Sequence, residues 1–134
     1  MKRTTAIILV FILVLVGCVK TTRPQGQSPE ETVQLYFSYW QMKSIHKMDS
    51  LVMPQQRGAD YELNKLQSIA LKSCKETKNP EEKSELSTMV YVEFEVNYKG
   101  GSGSGMENGV YHWSYRLVKE TEEKDWMIAG WGAG

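Results

Sequence analysis

Two thiols, two imidazoles and a row of carboxylates are the groups of this 134-residue chain with the most chemistry to offer. Cys18 closes the segment Leu15-Val16-Gly17-Cys18, directly after an unbroken apolar run from Ala6 to Val16. A thiol there is a nucleophile that can be alkylated. Cys74 stands alone, with no histidine or second cysteine near it in sequence to lower its pKa. Its plainest reading is a small, half-buried strand residue. Glu93, Glu95 and His112 lie in segments of strand-like alternation. A carboxylate beside an imidazole can move protons; it can equally form a cross-strand charge ladder.

The environment of Cys18 decides its reading. Lys2 and Arg3 form a basic start, and the apolar run of residues 6–16 is too short for a membrane-spanning helix, which takes about 20 residues. Basic start, short apolar stretch and small residue before the cut describe a secretory leader. Leu15-Val16-Gly17-Cys18 resembles the bacterial lipobox. The resemblance implies that the Cys18 thiol receives a diacylglycerol, that the leader 1–17 is removed, and that Cys18 becomes the acylated first residue. Two acyl chains anchor stably where one binds marginally. The implied location is the extracytoplasmic face of a cell membrane, lipid-anchored and not spanning. Val19 follows the cysteine, so the aspartate that tends to hold lipoproteins at the inner membrane of two-membrane bacteria is absent.

Residues 18–28 read as the lipidated cysteine and a polar tether containing Pro24 and Gly26. Residues 29–134 suit a single domain. Without Lys2 and Arg3 the formal charge turns slightly acidic, and no basic cluster of the kind that binds nucleic acid is present. With Cys18 consumed, Cys74 has no partner for an intrachain disulfide. There is no Cys-x-x-Cys, His-Glu-x-x-His or calcium-loop pattern, and no metal or cofactor is expected. The glycines of 100–105 precede no Gly-Lys-Ser/Thr and read as a mobile hairpin tip.

The elements that position these groups follow from spacing. Ser28-Pro29-Glu30-Glu31 is a capping box with proline at the first helical position. Val33, Tyr36, Phe37 and Trp40 then share one helical face. Ser44 is suited to cap a second short helix with Ile45, Met48, Leu51 and Val52 on one side, ending at Pro54. Strands are expected over 66–76, 88–98, 110–119 and 126–131. In the first, Ile69, Leu71 and Ser73 alternate with Ala70, Lys72 and Cys74. In the second, Val90, Val92, Phe94 and Val96 oppose Tyr91, Glu93, Glu95 and Asn97. In the third, Tyr111, Trp113, Tyr115 and Leu117 oppose His112, Ser114 and Arg116. The fold class is α+β, with N-terminal helices packed on an antiparallel sheet of about four strands.

Ser28-Pro29-Glu30-Glu31-Thr32-Val33 with Tyr36-Phe37 and Trp40, and the closing Trp126-Met127-Ile128, resemble the nuclear transport factor two-like, or cystatin-like, cone. The resemblance covers most of 28–134 and is closest to small lipoproteins of that superfamily. It implies an α+β cone and, as in related cones, dimerisation through the open sheet face. The superfamily hosts isomerases, dehydratases, transport factors and proteins without known activity, so it assigns no function by itself.

Matching the two apolar strand faces puts Glu93, Glu95, His112 and Arg116 on the polar side, as a ladder. A catalytic dyad would need the sheet inverted. His46 falls off the apolar face of the second helix. The expectation is therefore a non-enzymatic binding or interaction module of the envelope, with no catalytic residue. Its partners are the membrane, through Cys18, and a protein or a small apolar ligand. Tyr36, Trp40, Trp113 and Tyr115 would line a pocket if the cone is open; a solid core is the commoner meaning of such a stripe. The remaining alternative is an isomerase-like or dehydratase-like enzyme using Glu93 or His112.

Overall fold

The first helix begins where the capping box places it. In the computed structural model, which describes residues 26–134, α1 runs Pro29–Gln41. The Ser28 hydroxyl accepts from the Glu31 N–H at 3.1 Å, and the Glu31 carboxylate accepts from the Ser28 N–H at 3.0 Å. These bonds hold the Glu31 carboxyl below its usual range. Thr32, Val33, Tyr36, Phe37 and Trp40 are buried, so one stripe of the helix faces inward. The leader, Cys18 and most of the tether lie outside the described residues.

Four strands form one antiparallel meander in chain order: β1 (Leu66–Glu76), β2 (Ser87–Tyr98), β5 (Gly109–Val118) and β6 (Met127–Ala133). Between β2 and β5 a two-residue ladder joins β3 (Ser102–Gly103) to β4 (Met106–Glu107). The helix lies on one face of the sheet, giving the expected α+β architecture. In β2 the alternation is carried through: Val90, Val92, Phe94 and Val96 are buried against α1.

β1 departs from simple alternation. Its pairing with β2 skips at Gln67 and again at Lys72, each an extra residue. A bulge reverses side-chain parity and bends the strand. Cys74 therefore falls opposite Val92 and packs against the core together with Leu71, whereas strict alternation sets the two on opposite faces. A further bulge at Ala129 lets both Ile128 and Trp131 turn inward on β6.

The second helix, α2, spans Ile45–Asp49. Ser44 makes no side-chain cap bond and Ile45 is exposed, contrary to the expected face; Met48 and Val52 carry the burial. The 99–109 segment is likewise pinned. The Asn108 carboxamide receives the Tyr98 N–H, and the Ser104 hydroxyl donates to the Asp60 carbonyl at 2.7 Å. Gly103 lies so close under the Tyr98 ring that an added Cβ would sit 2.4 Å from it.

Candidate functional site

The side of the sheet that faces α1 is filled with rings. Trp40, Phe94 and Tyr115 have no exposed surface and Tyr36 has 1 %. Phe37 meets Phe94 at 5.1 Å between centroids, Trp40 meets Tyr61 at 4.4 Å, and Tyr115 stacks on Trp131 at 6.1 Å. Such offset and tilted contacts add to the stabilisation from area burial. Of the four residues expected to line a pocket, Tyr36, Trp40 and Tyr115 are thus embedded in this core. Trp113 is half-buried, edge-on to Phe94 at 5.1 Å.

The polar tips of these rings converge. The hydroxyls of Tyr36 and Tyr61 share a hydrogen bond of 2.6 Å, and the Tyr98 hydroxyl donates to the Tyr61 carbonyl at 2.9 Å. Burial raises the ionisation of Tyr36 and Tyr115 far above the ordinary range. It pushes Tyr61 up to about 12, and Tyr98, aided by Glu62 and Asp60, also up to about 12. Two buried polar atoms, Trp40 Nε1 and the Tyr115 hydroxyl, have no partner among the described residues. Tyr61 was not legible as part of this cluster, because it stands in a loop without periodicity.

The groups with proton-transfer chemistry are on the other side. Glu93 and His112 are directly paired across β2 and β5, and Glu93 Oε1 lies 3.1 Å from His112 Nε2. The His112 side chain is 69 % exposed. Lys72 bridges Glu95 at 3.3 Å on the same face. In solvent, such pairs each contribute at most about 1 kcal/mol. Arg116 joins Ser114, Gly130 and Gly132 around a shallow depression of about 300 Å³ on this face. His46 borders another of about 440 Å³ with Asp49 and Arg57. Among the described residues no group of three His, Cys, Asp or Glu is placed to hold a metal ion.

Cys74 is half-buried at the β1 edge, where its Sγ donates to the Glu30 carbonyl at 3.6 Å. Burial, with the Glu30 carboxylate nearby, pushes the thiol up to about 12. A protonated thiol is a poor nucleophile.

A family model described as a domain of unknown function, DUF4829, matches residues 30–132. The chain belongs to this family. The match covers all but the first residue of α1 and the last of β6, with the aromatic interior between them, so the DUF4829 domain is the folded unit described above. No curated protein and no solved structure matches the chain. No helix among the described residues is long and apolar enough to cross a membrane.

Proposed function

We propose that this DUF4829 protein is a bacterial envelope lipoprotein, held to the membrane by lipid on Cys18, whose domain is a non-enzymatic binding or interaction module. The observation that carries the reading is the separation of chemistry from the aromatic interior: rings fill the space between α1 and the sheet, while the paired Glu93 and His112 lie on the other side of the sheet, partly and largely exposed. General acid–base catalysis needs such groups beside a bound substrate. An N-terminal helix packed on a four-strand antiparallel meander is compatible with a nuclear transport factor two-like cone, which its sequence resemblance suggests.

The anchor is tested by Cys18→Ser in a bacterial host. The variant should accumulate as an uncleaved, unlipidated precursor. A variant that still runs at mature mass and partitions into detergent refutes the anchor.

One observation favours a second reading, capture of a small ligand. Trp40 Nε1 and the Tyr115 hydroxyl are buried polar groups without a partner among the described residues, which a ligand between the rings would satisfy. A ligand at a hundred times its Kd stabilises the fold by about 2.7 kcal/mol. A thermal-shift screen of small aromatic and aliphatic compounds decides: a saturable rise in Tm establishes capture, and a flat screen rejects it for the compounds tried.

A further inference from the structure

The two edges of the sheet are finished differently. On β1, side chains of α1 cover the backbone: the Ile69 N–H donates to Gln41 Oε1 at 2.7 Å and the Glu76 N–H to Glu30 Oε2 at 2.9 Å. On β6, the first half is covered by the segment after α2. The Ile128 N–H donates to the Leu51 carbonyl, and the Ile128 carbonyl accepts from the Met53 N–H, both at 2.8 Å. Beyond the Ala129 bulge that cover stops. The Gly134 N–H points back to the His112 carbonyl on β5. By alternation Gly132 points the same way, and the N–H and C=O groups of Trp131 and Ala133 point outward. Among the described residues nothing bonds to them. An open edge of this kind is a template for another strand.

We propose that this edge pairs with the same edge of a second copy, antiparallel, about a two-fold axis at Gly132. In that register Trp131 faces the partner's Ala133 and Ala133 faces the partner's Trp131. Every outward donor and acceptor of the four residues then meets its opposite. Moving the axis to Trp131 would set ring against ring and carry Ala133 past the end of the matching pattern, opposite the Ala129 bulge. Side chains favour the Gly132 axis as well. The large Trp131 ring meets a small alanine on the inner face, and Gly130 and Gly132 leave the outer face clear, with nothing within 4 Å of a Cβ built on either. The start of α1 at Ser28 lies by the opposite, β1, edge, where Glu30 already caps the Glu76 N–H. The contact is short, so a shared membrane surface would favour it by raising effective concentration. The surface is distinct from the open sheet face.

Oxidative crosslinking of the full chain in cells tests the register. Gly132→Cys sets two thiols across the axis as a non-hydrogen-bonded pair, with Cα atoms about 4.5 Å apart, within disulfide reach. Most of this variant should run at twice the chain mass and return to the monomer on reduction. Arg116→Cys, one strand inward on the same face, should stay monomeric. Ala133→Pro removes an outward N–H that the sheet itself does not use; added to Gly132→Cys, it should abolish the dimer band while the Ala133→Pro domain keeps its Tm. The proposal is overturned if Gly132→Cys gives no dimer, if Arg116→Cys bridges equally well, or if the dimer survives Ala133→Pro.

Discussion

The hydroxyls of Tyr36 and Tyr61 meet at 2.6 Å inside the core, tying the loop before β1 to the middle of α1. The bond joins two buried groups that have no other partner among the described residues and helps close the domain over its aromatic interior. Tyr61→Phe would leave the Tyr36 hydroxyl buried without that partner, a loss of about 1–3 kcal/mol. The double variant with Tyr36→Phe should recover part of it, since two apolar rings leave nothing unsatisfied. Urea unfolding of the two variants measures both; a neutral Tyr61→Phe would show that the bond contributes nothing.

Among the described residues the Tyr115 hydroxyl lacks even one partner. Removing it removes a desolvation penalty, so Tyr115→Phe is expected to be neutral or to stabilise by up to about 1 kcal/mol. A clear loss of stability in chemical denaturation would mean that the hydroxyl has a partner within the fold, and that the interior is not dry.

Alkali should unfold the domain steeply. Tyr61 and Tyr98 are pushed up to about 12 from 10.0, and Tyr36 and Tyr115 further, chiefly by burial; Cys74 is pushed up to about 12 from 9.0. The native state thus holds protons that the unfolded chain releases first. The contribution is complete below the unfolded pKa values and is lost as pH rises through the folded ones. Tm should therefore fall progressively across about pH 9–12. A Tm profile flat across that window would contradict the burial of these groups.

Cys74 should react slowly. Its raised thiol and half-buried position leave little thiolate at neutral pH. Labelling with a small alkylating reagent is expected to be slow in the native domain and fast in denaturant. Equal rates would place the thiol in solvent.

Where local rules act undisturbed, the sequence is easily read. Ser28 and Glu31 announce the start of α1 because each satisfies the other's backbone N–H. Val90 to Val96 announce β2 because nothing interrupts its alternation. Legibility fails where one inserted residue changes parity: Lys72 turns Cys74 toward the core, and Ala129 does the same for Trp131 relative to Ile128. It fails again for Tyr61, whose role depends on meeting Tyr36 from 25 residues away. The outward placement of Glu93 and His112 follows from alternation in β2 and β5. How completely the rings between sheet and helix fill their space is a property of packing alone.

The most direct test of a closed aromatic interior is a crystal of the domain pressurised with xenon, which enters dry apolar voids. No xenon atom is expected among Tyr36, Trp40, Tyr61 and Tyr115. A xenon atom held between those rings would contradict a closed interior and make the space between helix and sheet a ligand-binding cavity.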